Sequence, residues 1–291
     1  MSHHAHHAVE TGTLYVVATP IGNLADISRR AIDILSQVDV IAAEDTRVTQ
    51  KLLAALSLQT RLISLREHNE AREAARIVEW LREGKSVAQV SDAGTPSVSD
   101  PGAVLVDAVR AAGLRVVPVP GANAAIAALS ASGFTQAQFL FYGFLPPKSG
   151  QRKTALEALR EQSATLVFYE APHRIVECID DLLTVFGPER QIVLARELTK
   201  TFEQIHRCPL GEAPAWLASD SNRQRGEFVL LVAGAPEAAQ DEEMPTEALR
   251  VLQILLRDLP VKQASSLAAE ITGANRKRLY QAALELRAEQ D

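Results

Sequence analysis

Residues able to do chemistry come in bursts along this chain, each directly behind an apolar run. ATPIGN (18–23), EDTR (44–47), REHN (66–69), SDAGTPSVSDPG (91–102) and PGAN (120–123) are followed later by YEAPHR (169–174) and ARELTK (195–200). The fourth burst is suited to holding a polar ligand. Gly94 lets backbone approach a bound group closely, and successive N–H groups around Asp92, Ala93, Gly94 and Thr95 can receive it. Its second half needs no ligand, because Asp100 followed by Pro101 has the form of a helix start, with Asp at the N-cap and Pro at the first helical position. PGAN feeds another helix N-terminus, suited to an anionic group such as a carboxylate. In EDTR, Asp45 or Thr46 can cap the next helix, which leaves Glu44 and Arg47 as an ion pair framing a substrate entrance. ATPIGN lacks GxGxxG, so the dinucleotide fingerprint is missing. Taken alone, it reads better as a plain strand-to-helix turn with Ser28 as N-cap. YEAPHR and ARELTK, taken singly, are as consistent with helix starts and solvated strand ends as with a site.

The apolar periodicity sets the elements that position these bursts. LYVVAT, VIAAED, RLISL, SVAQVS and RVVPVP alternate with helical patterns such as SRRAIDILSQ and NEAREAARIVEWLREG. That alternation predicts βαβ units and a parallel sheet covered on both faces, over residues 13–121. In such a sheet all five early bursts lie on one edge, at the carboxyl ends of the strands, where open α/β sheets bind ligands. Residues 122–235 carry the runs QFLFYGFL, TLVFYEA, QIVLARE and GEFVLLVAG, with TFEQIHRCPL alternating like a half-exposed strand. They predict a second α/β domain with a mixed, partly antiparallel sheet. The small, acidic, Pro-punctuated residues 236–245 read as a linker. Beyond it, residues 246–291 predict an amphipathic helix and then two helices joined by a turn at Thr272 and Gly273, the second opening on Arg276, Lys277 and Arg278. This resembles a helix-turn-helix, but small helical hairpins are common packing devices, and a positive surface for an RNA partner is a better reading of it than a DNA reader.

The totals exclude several classes. With 291 residues, 47% of them hydrophobic, the chain is expected to be a soluble protein of about two domains. It has no run near the ~18 apolar residues of a membrane span and no basic-then-apolar secretory start, so a cytoplasmic location is expected. A net charge of -6 argues against a broad nucleic-acid-coating surface and confines any such partner to a local basic patch. Cys178 and Cys208 match neither a CxxC pattern nor a disulfide framework, and no metal site is expected. The His-rich tip (His3, His4, His6 and His7) is expected to belong to a flexible tail over residues 1–12 rather than to a metal site.

Taken in order, ATPIGNLxDI, EDTR, SDAGTPxxSDPG, GFLP, YEAPHR, ARELTK and the terminal KQASSLAAEITG resemble the ribosomal RNA small subunit methyltransferase I family, within the tetrapyrrole-methylase-like S-adenosylmethionine enzymes. The resemblance spans residue 13 to about residue 290. It implies two α/β domains with a cofactor cleft between them, a small C-terminal helical module, a homodimer, and methyl transfer to the ribose 2′-hydroxyl of a cytidine in the decoding region of 16S rRNA, in the small ribosomal subunit. Carried over by position, it implies a cofactor pocket made by Pro20, Asp92, Ala93, Gly94, Ser97, Ser99 and Ala122, closed from the second domain by Tyr169, Ala195 and Gly226.

Such chemistry needs a methyl group in line with the attacking oxygen, exclusion of water and removal of one proton. Candidates for the base are Glu44, Asp45, Glu170, Glu197 and Lys200, the lysine only if burial or neighbouring Arg174 and Arg196 depress its pKa. Arg47, His173, Arg174, Arg196 and Lys200 are expected at phosphate or ribose, with Arg276, Lys277 and Arg278 as RNA contacts. Two other functions compete: a methylase of a corrin or porphyrin carbon, and a non-catalytic RNA-binding or assembly factor that keeps a cofactor pocket.

Overall fold

The computed structural model describes residues 8–236 and 245–288. The His-rich tip, most of the expected linker and the last residues of the chain lie outside the described residues. The chain forms two compact units, divided after Gly234.

The first unit opens with β1 (Thr13–Val17), α1 (Arg29–Gln37), β2 (Val40–Ala43), α2 (Thr46–Ala55), β3 (Leu62–Ser64), α3 (Glu70–Arg82), β4 (Val87–Val90), α4 (Ala103–Ala111) and β5 (Arg115–Val119). The strands form one sheet in the order β3-β2-β4-β1-β5, and every pairing in it is parallel. Alternate residues enter two separate cores, because successive side chains on a strand point to opposite faces. Tyr15, Val17, Ile41, Ala43, Ala88 and Val90 pack with Ala31, Ile34 and Leu35 of α1 and Leu53 of α2. Leu14, Val40, Ala42 and Val87 pack with Ala74, Ile77, Val78 and Leu81 of α3 and Leu105 and Val109 of α4. Burial on both faces is why VIAA and VAQV read as continuous rather than alternating runs. Val9, inside the stretch expected to be flexible, packs against the first of these cores.

The unit continues with α5 (Ala124–Ala131), β6 (Phe139–Phe144), α6 (Ser149–Glu157), β7 (Thr165–Glu170), α7 (Ile175–Phe186), β8 (Gln191–Arg196), β9 (Gln204–Pro209), α8 (Ala213–Ala218) and β10 (Phe228–Val232). This second sheet runs β6-β7-β10-β8-β9. It is mixed: β6 and β7 are parallel, and the other pairs antiparallel. One face packs Phe168, Leu194 and Leu230 against α7 through Ile175, Ile179 and Leu182. The other packs Val167, Val193, Val229 and Leu231 against Ala125 and Ala128 of α5, and Ile21 from the loop after β1 joins that core. The two sheets are thus tied at the point where ATPIGN leaves the first one.

The second unit holds α9 (Thr246–Leu255), α10 (Val261–Thr272) and α11 (Arg276–Ala288), packed around Ala248, Leu252, Ala264, Ala268, Leu279 and Ala283. Gly273 ends α10 at φ 71°, a left-handed position open to glycine. The Asn275 side chain then accepts from the Lys277 and Arg278 amides and starts α11.

Candidate active site

Parallel pairing puts the loops after β1, β2, β3, β4 and β5 on one edge, and hydrogen bonds knit them together. Thr19 and Gly94 exchange backbone bonds of 2.9 and 3.1 Å. The Asp45 amide donates to Asp92 Oδ1 at 3.0 Å, and the Asp92 amide donates to Glu44 Oε2 at 3.2 Å. The Arg66 Nε–H, from the REHN loop, donates to the Glu44 carbonyl. Thr95 Oγ1 donates to the Ala122 carbonyl at 3.0 Å, joining the fourth loop to the fifth.

The second sheet meets this edge through small residues. A Cβ on Gly22 would lie 2.6 Å from Lys200 Cγ, and one on Gly143 would lie 2.7 Å from Ser99 Oγ. Ser97 and Ser99 adopt φ of 67° and 64°, strained values for residues other than glycine, so the surrounding contacts must hold the loop in shape. Between the sheets lies a cavity of about 310 Å³ lined by Ile21, Ala93, Gly94, Ser99, Asp100 and Tyr169, with Glu170, Leu198, Glu227 and Val229 completing the wall. A more open hollow of about 330 Å³ adjoins it at Ile21 and Ala93 and is lined by Pro20, Gly22 and Asp92.

Strand register sorts the middle of the second sheet into two rows. Val229 pairs with Tyr169 on one side and Ala195 on the other, whereas Phe228 pairs with Glu170 and Arg196. The Tyr169–Val229–Ala195 row faces α5. Tyr169 and Val229 line the cavity, and Tyr169 Oη accepts from the Ala125 amide at 3.2 Å. Ala195 is wholly buried in the core behind them. The register places Arg196 in the other row, 6% exposed, with its guanidinium donating to the carbonyls of Arg225 and Phe202. It is a brace for the loops around it rather than the substrate contact expected.

Other expected residues are also committed within the protein. Arg174 forms an ion pair with Glu170 at 3.1 Å and donates to the Leu145 carbonyl of GFLP at 2.6 Å. Glu170, 2% exposed, also accepts from the Ala171 amide. His173 is exposed on the turn before α7. Arg47 pairs with Asp45, not with Glu44 as the sequence led us to expect. Ser97 Oγ stands 3.5 Å from Gln89 Nε2, and the space that Gly226 leaves open is taken by the Glu197 carboxylate. Sequence reasoning missed the buried pair of Arg152 Nε and Asp181 Oδ2, 2.6 Å apart. It also missed Glu70, whose Oε1 accepts from the amides of Gly102, Val104 and Leu105. Glu70 therefore caps α4 from α3, and Asp100 is not the N-cap. A carboxylate supplied from about 30 positions upstream leaves no local signal.

The charges follow from these partners. Hydrogen bonds from the Arg47 side chain and amide hold the Asp45 carboxyl well below the usual carboxylate range. Burial pushes Glu44 and Asp92 up, reinforced in each by neighbouring carboxylates. Burial and the charges of Glu44 and Asp92 push Asp100 up to about 6, against a lowering influence from the Ser91 hydroxyl. Burial draws the Lys200 ammonium down, but its bonds to Glu197 and Glu227 outweigh this and leave it raised. Both of these contacts are 2.8 Å. Lys200 is a cation at neutral pH and not a base.

A mostly apolar cavity on the carboxyl edge of a parallel sheet, walled on its far side by a second, mixed sheet, defines an α/β protein of the tetrapyrrole-methylase class. A family profile described as Tetrapyrrole (Corrin/Porphyrin) Methylases matches residues 13–214, and one described as RsmI C-terminal HTH domain matches residues 242–287. Ribosomal RNA small subunit methyltransferase I of Pseudomonas aeruginosa is 53% identical over 277 residues, covering 95% of this chain and 98% of its own. That of Vibrio cholerae is 53% identical over 272 residues, covering 94% of each. Two solved structures share the fold: uroporphyrin-III-C-methyltransferase from Thermus thermophilus, with TM-score 0.55 and 24% identity over 76% of this chain and 94% of that one, and the methyltransferase CobJ, with TM-score 0.58 and 21% identity over 77% and 95%. The chain belongs to the ribosomal RNA small subunit methyltransferase I family.

Proposed function

We propose that the chain methylates the ribose 2′-hydroxyl of a cytidine in the decoding region of 16S rRNA, with S-adenosylmethionine as the methyl donor. The observation that carries this is the near full-length kinship with the rRNA methyltransferases above, joined to a cavity built by the same motif loops. The cavity suits the cofactor. Its apolar wall accepts the adenine and methionine stem, the backbone at Ala93 and Gly94 can approach closely, and the carboxylates of Asp92 and Asp100 favour a cation. The cofactor supplies an activated methyl on a positively charged sulfur, and no metal is needed for it to leave.

The protein's part is positioning. Holding donor and acceptor in line can lower the barrier by about 7–11 kcal/mol, more than a general base contributes at about 10²–10⁴-fold. Pro20, Asp92, Ala93, Gly94, Ser99 and Tyr169 hold the cofactor across the two adjoining hollows. Arg47, exposed at the rim, and His173 meet the RNA backbone, and Arg276, Lys277 and Arg278 give the C-terminal unit a basic face for the same partner. The acceptor is taken in the small ribosomal subunit, and the enzyme works as a homodimer in the cytoplasm. No helix among the described residues is long and apolar enough to cross a membrane.

Incubation with cofactor carrying a labelled methyl group, alongside either 30S subunits or a tetrapyrrole precursor, tests the substrate class. Label is expected in the 30S RNA. Label confined to the macrocycle would assign the chain to the other branch of its fold, and tight 30S binding without label would make it an assembly factor.

A further inference from the structure

The geometry points to Phe144 as the surface on which the base of the acceptor nucleotide stacks. The assignment rests on the ribose methylation proposed above and adds how the substrate nucleotide is held for it.

Phe144 belongs to GFLP, a motif that the cofactor residues leave without a role. It lines the cavity between the sheets and yet is 53% exposed, at the end of β6, the edge strand of the second sheet. Single exposed apolar residues are ordinary, and Phe202 is more exposed still, but it lies outside the cavity wall. What sets Phe144 apart is how it is held. The pairing of Phe141 with Val167, continued without a break, would set Gly143 opposite Tyr169. A bulge between Phe141 and Gly143 shifts the register, so that Gly143 stands opposite Phe168 and Phe144 opposite Tyr169. Bulges re-aim side chains in this way beside active sites. The backbone is then fixed on both sides of the ring. Before it, Gly143, at φ 81°, comes so close to the fourth loop that an added Cβ would lie 2.7 Å from Ser99 Oγ. After it, the Leu145 and Pro146 carbonyls accept from Arg174 Nη2 at 2.6 and 3.2 Å, and Arg174 is in turn paired with the buried Glu170. The ring itself meets Tyr169 edge-on with centroids 5.6 Å apart, and Tyr169 meets Phe141 in the same way at 5.0 Å.

A phenyl ring that stays half open to solvent after this much anchoring is preorganised to receive another flat ring. The chemistry of the acceptor says which one. The base of a ribonucleotide is attached at C1′, next to the C2′ that carries the hydroxyl, so a 2′-oxygen brought to the methyl donor carries its own base to the cavity wall. A base drawn out of its stack in RNA gives up its stacking neighbours, and Phe144 replaces one of them at the mouth of the cavity. Stacking tolerates any base, because every base has a π-face. The ring therefore holds the nucleotide in place and does not select cytidine. No bond is made or broken at Phe144.

The test uses full-length enzyme, 30S subunits and labelled cofactor, with calorimetry of cofactor binding and size-exclusion chromatography beside the rates. Phe144→Ala is expected to lower kcat/KM for 30S subunits about 5- to 150-fold, the loss of one stacked base, with cofactor affinity within about twofold of the parent. The loss should be the same at low and at high salt, because a stacked ring neutralises no phosphate. Phe144→Trp, which keeps a flat ring, should recover most of the rate, whereas Phe144→Leu, which keeps only apolar bulk, should stay low. Phe139, 46% exposed on the same strand but outside the cavity wall, is the control, and Phe139→Ala should stay within about twofold of the parent. Recovery by Leu as complete as by Trp overturns the assignment, since packing alone would then explain the ring. So does a Phe144→Ala enzyme within twofold of the parent, a loss as large in Phe139→Ala, a collapse of cofactor affinity, which would make the ring a cofactor contact, or a change of oligomeric state, which would make it a subunit contact. Failure of the parent enzyme itself to label 30S RNA would instead remove the methylation reading on which the stacking rests.

Discussion

A methyl group added to Gly102 would fall 1.5 Å from the Gln89 side-chain nitrogen, and the residue's φ is 133°. At Gly113 φ is 73°, yet nothing lies within 4 Å of the added carbon. The pair separates backbone strain from close approach. Gly113→Ala should cost about 1–2 kcal/mol, the left-handed penalty alone. Gly102→Ala should cost clearly more by urea unfolding and should also reduce methylation, because it displaces the loop that carries Asp100. Asp92 tests the pocket at the same scale. Asp92→Ala should weaken cofactor binding more than RNA binding by calorimetry, and unchanged cofactor affinity would remove it from the pocket. At this scale the sequence revealed which loops matter, since Gly, Pro and acidic residues concentrate in SDAGTPSVSDPG. It hid what each side chain does. Arg174, Arg196 and Lys200 look like free cations in one dimension, and each is held by a carbonyl or carboxylate from a distant segment.

Helix α4 owes its start to another helix. Glu70 Oε1 takes three amides, at 2.8, 2.9 and 3.1 Å, while Glu70 itself is 6% exposed. Glu70→Ala strands those donors in a poorly hydrated place and should destabilise the protein by about 1–3 kcal/mol. Glu70→Gln, which keeps one acceptor, should lose less. Chemical denaturation measures both, and hydrogen exchange should show the amides of 102–105 opening first. Equal losses in the two variants would mean that packing, not capping, is what Glu70 provides. The strands themselves were legible, because VIAA, VAQV and FVLLV are apolar runs bounded by turn residues. Their order was not. β4 lies between β2 and β1, an arrangement set by crossover packing and not by any local pattern. The register that sets Arg196 opposite Phe228, with its guanidinium on the carbonyls of Arg225 and Phe202, is likewise invisible until β8 is laid beside β10.

For the whole molecule the central physical problem is how a chain of net charge -6 approaches a polyanion. The answer proposed is a local basic patch. Replacing Arg276, Lys277 and Arg278 together by Ala should weaken binding to 30S subunits and flatten its salt dependence, by about 0.7–0.9 in the log–log slope for each phosphate no longer neutralised. An unaltered slope would return α11 to a purely packing role. The measurement that tests the account most directly is the chemical position of the transferred methyl. 30S RNA methylated by the purified enzyme would be digested to nucleosides and the labelled one identified by mass spectrometry. A methyl on the 2′-oxygen of cytidine is the predicted result; a methyl on a base carbon or nitrogen, with the ribose unlabelled, would contradict it.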